Sequence, residues 1–427
     1  MSIREENISA KKIYDEFKRL GNWNLPNNKD KPIPGIIIYD KGKIRLETMT
    51  SLEKPNEDQF FSNSNLRKHE IIFGKLDTGE TIILTNCVWF GHYNQRNMYT
   101  VSQMYVNNTF NESTLMFNKV SVEYSSLFNW LGINTIHVDF DSDQHVITHT
   151  KPKPITVKIN NKFELTFFIG YTISSSYLPN DYTIPQVATV TVSYDHPMAF
   201  NDIYEKLKYF KYFLMMSTGH RIFPISINAH VTKEHLQPVF LNQILNEDVK
   251  NVEHFDMILT YQNIKNNFDS IMKSWYEICS KFDKSTELFF TTLQNEKFML
   301  IDIVFLQMVQ TLEAFHREKF KKDDELKLRL NELITPFSSS FANFDTERIS
   351  KTRHYHSHGF LENYSMNDII TENIELIFVT RRLKLLMQTC LLEELPIEQS
   401  LKEEILKKQV KIIDDEESLN RQINSGT

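Results

Sequence analysis

The period at which apolar residues recur changes near residue 256, and that change limits the chain to two unlike halves. Ahead of it, short runs of β-branched and aromatic residues alternate with polar ones between turn signals, the pattern of half-buried strands. Gly35 to Tyr39 and Lys43 to Leu46 flank Asp40-Lys41-Gly42, and Ile71 to Gly74 and Thr81 to Leu84 flank Asp77-Thr78-Gly79. Both read as hairpins, because Asp and Gly supply turn conformations that β-branched neighbours resist. Further strands are expected at Val120 to Tyr124, at Ile155 to Ile159 and Phe163 to Phe167 around Asn160-Asn161, at Val190 to Tyr194 and at Ile222 to Ile227. Short strands separated by turns imply an antiparallel sheet or sandwich. Two helices interrupt it: Arg4 to about Leu20, and one capped by Asn201 and ended by Gly219, with Ile203, Leu207, Phe210 and Leu214 on one stripe.

Beyond residue 256 the apolar positions fall three and four apart. Helices are expected from Tyr261 to about Phe282, Thr286 to Gln294, Asp324 to Ile334, Asn367 to about Leu392 and Glu398 to about Val410, with Asp414 to Glu417 in a frayed tail. The cleanest stripe is Phe298, Ile301, Phe305, Met308, Leu312 and Phe315. The fold class is therefore α+β: an antiparallel β-rich region over residues 1–245, then an all-α helical bundle over 256–427.

A chain of 427 residues, 41% apolar and 24% charged, has the composition of a soluble globular protein of two or three domains. Its net charge of −7 excludes global attraction to nucleic acid, so any contact with phosphates must rest on a local patch. Cys87, Cys279 and Cys390 form no pair motif, which favours a reducing compartment. The charged start, Met1 to Glu6, is not followed by an apolar segment, and Asp302, Gln307, Gln310 and Glu313 break the most apolar helix. No membrane span is expected, and the expected location is cytoplasmic.

Chemistry concentrates in Arg353-His354-Tyr355-His356-Ser357-His358. Arginine brings a permanent cation whose planar fork grips a phosphate from two sides, and histidine exchanges a proton near neutrality. If the stretch is helical, His354 and His358 share one face with Arg353 beside them. RNA carries its own nucleophile in the 2′-hydroxyl, so these groups suffice for cleavage without a metal or other cofactor.

Arg353, a polar residue at 354, three residues and His358 match the R-polar-x3-H signature of HEPN ribonuclease domains. Phe305 to Arg317 resembles the Q-x-L-E-x-x-H-R helix ahead of that motif in the ApeA-type HEPN branch, and Thr380 to Leu386 with Leu391 to Leu395 resembles its later helix. Residues from Gly42 through Gly74, Gly79 and Cys87 to Leu131 resemble the N-terminal domain of ApeA anti-phage proteins. The resemblance implies a metal-independent endoribonuclease that acts as a homodimer or higher homo-oligomer, a toxic activity restrained until phage infection and then causing abortive infection. It implies that Arg353 and His358 are catalytic, with His354 where the family more often carries Asn or Asp, and with Glu313 and Arg317 supporting. The RNA target is expected to include transfer RNA. The trigger is an unidentified phage component, met by loops such as Gln59 to Lys68 and Asn107 to Ser113.

Plainer readings compete. Glu313 and Arg317 are spaced for a surface salt bridge, and His316 suits a helix edge. Arg381, Arg382 and Lys384, with Lys319, Lys321 and Lys322, form either a solvated face or an RNA contact. His354, His356 and His358 would point one way on a strand, and His354 and His358 would pair at i,i+4 on a helix, as metal ligands do, although no acidic general base is spaced for it and Arg353 would repel a cation. A non-catalytic RNA-, nucleotide- or partner-binding module is the alternative function; against it, such a module has no need of a proton-transfer histidine.

Overall fold

A computed structural model describes residues 7–425 apart from 29, 54–67, 95, 108–114, 141–144, 172–173, 176–181, 184, 231–235, 244–250, 343 and 359–364. Two of the expected recognition stretches, 59–68 and 107–113, lie almost wholly outside the described residues.

Strands β1 (Phe17–Asn24), β2 (Ile33–Asp40), β3 (Lys43–Thr48), β4 (Lys68–Leu76), β5 (Thr81–Tyr93) and β6 (Arg96–Val101) pair antiparallel in the order β5-β4-β1-β2-β3-β6. Strand β6 also pairs with the second half of β5, so the six close into a barrel. Alternation decides which side faces in: Ile37, Tyr39, Ile44, Leu46 and Tyr99 are buried, and their sequence neighbours are not. The β2–β3 turn forms because Lys41 and Gly42 both take positive φ, +48° and +79°, the mirror-image turn that matches strand twist.

The first half of β5 pairs instead with β7 (Gln103–Asn107), which carries the sheet outward. After β7 come β8 (Met116–Tyr124), helix α1 (Leu127–Leu131), the two-stranded β9 (Ile136–Phe140) and β10 (His145–His149), β11 (Ile155–Lys158), β12 (Phe163–Tyr171), the short β13 (Ser174–Ser175) and β14 (Tyr182–Thr183), β15 (Gln186–Ala199), α2 (Phe200–Thr218), β16 (Pro224–His230) and β17 (Leu236–Leu241). The outer sheet runs β7-β17-β16-β8-β15-β12-β11, all antiparallel. Helix α2 covers it, with Phe210 edge-on to Phe167 at 5.1 Å and Tyr124 donating to the Leu207 carbonyl at 3.0 Å. A β-rich antiparallel first part is thus present, as a barrel and an outer sheet that share a strand.

The expected helix from Arg4 to Leu20 is corrected. Among the described residues of that stretch only Ile8–Ala10 forms a short 3₁₀ turn, its Ile8 and Ser9 amides held by the Glu80 carboxylate at 2.9 Å, and Phe17 onward is strand. Phe17 and Trp23 belong to a period-two inward face, whereas Leu20 points out and is 59% exposed. Pairing to β2 and β4 outweighed a local spacing that suited either structure.

The second part is helical: α3 (Tyr261–Ile264), α4 (Phe268–Lys281), α5 (Asp283–Asn295), α6 (Ile301–Phe320), α7 (Leu326–Ile334), α8 (Thr346–His358), α9 (Asn373–Glu393) and α10 (Gln399–Ser425). The continuous helix expected over 261–282 is broken between Ile264 and Phe268. The expected frayed tail is helical through Ser425, because its carboxylates meet arginines on α9. Helices α4 and α5 bind the helical part to α2: Trp275 donates to the Tyr209 carbonyl at 2.8 Å, and Tyr276 to that of Lys206 at 2.6 Å. Among the described residues no helix is long and apolar enough to cross a membrane.

The barrel core can be tested at Gly74, where an added Cβ would lie 2.2 Å from the Trp23 ring. Gly74→Ala is expected to cost roughly 1–3 kcal/mol in urea unfolding, the usual range for overpacking. Gly170→Ala, with open space around the new carbon, is expected to stay within about 0.5 kcal/mol of wild type.

Candidate functional site

Helix α6 buries Val304, Phe305, Met308, Val309, Leu312 and Phe315 as one stripe, which sets Glu313 and Arg317 on flanks that reach solvent. Helix α8 has little such stripe; only Thr346, Ile349 and Thr352 are buried. Polar contacts fix it instead. The Asp345 carboxylate accepts from the Arg348 amide at 2.9 Å, closing the start of the helix. Arg348 grips Glu375 of α9 with both terminal nitrogens and also donates to the Ile369 carbonyl at 3.1 Å. Thr352 donates to the Arg348 carbonyl at 2.7 Å and accepts from the Ile370 amide at 2.9 Å. Lys351 reaches Asp368 at 2.9 Å.

This clamp ends at Thr352, immediately before the motif. The helix runs from Thr346 through His358 and carries the whole of Arg353 to His358. His354 and His358 are exposed, and their rings meet at 4.6 Å between centroids. Arg353 is one-third exposed and turns toward α6, its Nη2 3.7 Å from Glu313 Oε2. Glu313 therefore faces Arg353 across two helices, while Arg317 engages Asp323 at 3.2 Å. His356 lies about 200° around the helix from His354, and its ring stands edge-on to Phe305 at 6.0 Å. The three-histidine metal array is corrected on that ground, since a helix cannot point 354, 356 and 358 one way.

His316 is fully buried, not at an exposed edge, and its Nε2 lies 2.6 Å from Glu332 of α7. That pair, 16 residues apart, has no local signature, as is also true of Arg348 with Glu375 and Thr352 with Ile370. Among the described residues His316, Asp324 and Glu332 form a cluster whose ligand-type atoms lie within 4.8 Å of one another. Lys322, 3.0 Å from Glu332, already supplies a cation there, and the hydrogen bonds from His316 and Lys322 hold the Glu332 carboxyl below its ordinary range. Burial pushes the Cys390 thiol up to about 12, which removes it as a nucleophile.

Most of the basic cluster is neutralised within the chain. Arg381 pairs with Glu416, Arg382 with Asp414 at 2.8 Å and Glu417 at 2.6 Å, Lys384 with Glu296, and Lys319 with Glu394 at 2.7 Å. What the end of α8 offers is a guanidinium and two touching imidazoles within two helical turns, open to an anion.

Two family models match the chain: ApeA N-terminal domain 1 over residues 18–275, and Apea-like HEPN over residues 306–401. This chain belongs to the ApeA family. The HEPN match begins within α6 and ends at the start of α10, so in this ApeA-family chain α6 to α9 form the HEPN domain and both motif helices lie inside it. No curated protein and no solved structure matches the chain.

Thr352 tests the clamp. Thr352→Val keeps the shape but leaves the buried Ile370 amide without its acceptor, so it is expected to cost about 1–3 kcal/mol in urea unfolding and to speed exchange of that amide, while Thr352→Ser retains most of the stability. Asp368 gives a pH test. Hydrogen bonds from Ser365 and Lys351 hold its carboxyl down at about 2, below its ordinary 3.8. A depressed carboxylate contributes stability fully present above the ordinary value and lost as pH falls toward 2. Asp368→Asn is expected to flatten that limb of the stability curve.

Proposed function

We propose that this ApeA-family chain is an anti-phage endoribonuclease that cleaves RNA without a metal, through the HEPN domain. The observation that carries the reading is the accessible end of α8, where His354 and His358 touch at 4.6 Å beside an Arg353 oriented by Glu313. In this mechanism Arg353 holds the scissile phosphate through paired N–H donors and neutralises charge as the phosphorane forms. His358 exchanges a proton with the 2′-hydroxyl or the leaving 5′-oxygen. His354 packs against the His358 ring and keeps it in reach; Glu313 fixes the guanidinium. Arg317, engaged with Asp323, supports the α6–α7 junction from further away.

Arg353 and His358 stand five residues apart on one helix and so diverge by about 140°. A complete site is best served by a second copy facing the first, which is why the working unit of the proposal is a homodimer. Its substrate is RNA, with transfer RNA as the first candidate, and its trigger is a phage component met by the β-rich region 1–245, while 256–427 carries the chemistry. The proposed location is the cytoplasm, and no cofactor enters the mechanism.

A second reading, a non-catalytic RNA-, nucleotide- or partner-binding module, draws on the carboxylates that neutralise Arg381, Arg382 and Lys384. Induced expression followed by sequencing of RNA ends separates the two. Arg353→Ala and His358→Ala are expected to lower cleavage by about 10²–10⁴-fold and to abolish phage protection at unchanged thermal stability, and a chelator to leave cleavage unchanged. Products are expected to end in a 2′,3′-cyclic phosphate; 3′-hydroxyl ends overturn the mechanism. Wild type and His358→Ala equally inert on cellular RNA would favour the binding module.

A further inference from the structure

The register of β15 against β8 slips between Ser193 and Met198, and beside that slip the β-rich part opens a cavity of about 610 Å³. Its volume falls within the range of small-ligand pockets. Its four lysines come from four separate elements. Strand β8 brings Lys119, opposite Ser193; β11 brings Lys158; the Asn160-Asn161 turn brings Lys162; and α4 brings Lys273. The turn is held by the Asn160 side-chain oxygen, which accepts from the amides of Lys162 at 2.8 Å and Phe163 at 3.2 Å.

Four ammonium groups face two carboxylates, Glu164 and Asp195, an excess of two positive charges in a chain whose net charge is −7. The Arg381 to Lys384 cluster, by contrast, is paired with the chain's own carboxylates. Lys119, Lys158 and Lys162 have no carboxylate partner among the described residues, and Lys273 meets Asp269 only at 3.9 Å. Unpaired ammonium groups converging from separate elements on a concave site are the arrangement that holds phosphate oxygens. One wall is aromatic: Phe163 stacks on Tyr194 at 5.4 Å and 25°, and Tyr194 is only half-buried. A ring of that kind gives a nucleobase a stacking surface, and the two carboxylates suit sugar hydroxyl donors.

We propose that this cavity is a nucleotide-binding site in the N-terminal part of the chain, its lysines holding the phosphates and Tyr194 flanking the base. An RNA strand is the poorer fit, because the site is concave and Glu164 and Asp195 would repel a continuous phosphate backbone. The inference is independent of the chemistry assigned to α8.

Isothermal titration of the full chain with ATP, inorganic triphosphate and a short single-stranded RNA tests it. ATP is expected to bind saturably and triphosphate more weakly. Lys158→Ala/Lys162→Ala is expected to weaken ATP binding about ten-fold or more, whereas Lys151→Ala, an exposed lysine that does not line the cavity, leaves it unchanged. Both lysines of the double variant are exposed, and matching melting curves ensure that a loss of binding is not a loss of fold. Absence of binding by ATP, affinity for it unchanged in the double variant, triphosphate binding as tightly as ATP, or RNA binding more tightly through the same lysines would each overturn the proposal.

Discussion

Helix α8 lacks the apolar face that would hold it, and the candidate site depends on how that lack is met. A helix that buries only Thr346, Ile349 and Thr352 gains little from packing. Arg348 on Glu375, Thr352 on the Ile370 amide and Lys351 on Asp368 supply directional contacts in place of area. The Thr352–Ile370 bond is buried and so costly to break, and the partly exposed pairs of Arg348 and Lys351 add direction to it; together they set the angle and register of the helix. Because all of them fall in its first two turns, the last two stay open, and those carry Arg353, His354 and His358.

Charge is handled in the same way across the helical part. Its arginines and lysines are numerous, yet most of those described meet a carboxylate, several of them across helices: α9 with α10 and α7 with α8. Exposed pairs of this kind contribute little each, but together they offset much of the positive charge of the helical part. A phosphate would find attraction where a cation is left accessible, as at the end of α8 and around the lysine-lined cavity beside β15. In such a chain the exceptions to charge pairing are more informative than the total charge.

Much of the architecture was legible because it rests on local rules. The hairpin at Asp40-Lys41-Gly42 needed two positive φ values and had residues that accept them. The stripe of α6 needed only three- and four-residue spacing. The motif was legible as a string, and the helical guess placed His354 against His358. Other features were not. Arg4 to Leu20 fitted a helix by spacing and became strand because β2 and β4 required a partner. The acidic segment Asp414 to Glu417 resembled a solvated tail until Arg381 and Arg382 came opposite it. His316 looked like an edge residue, yet it is buried against Glu332, a partner 16 positions along the chain.

The amino-acid sequence by itself determined the two-part α+β organisation, the hairpin turns, the core stripe and the chemical identity of the groups in Arg353 to His358, because periodicity, turn chemistry and residue type act over a few positions. Tertiary structure alone decided which cations stay accessible, that Glu313 faces Arg353 while Arg317 turns to Asp323, and that His356 packs against Phe305 instead of joining its neighbours. Those outcomes depend on distances between residues far apart in the chain, set by how helices and strands pack, and no local pattern encodes them.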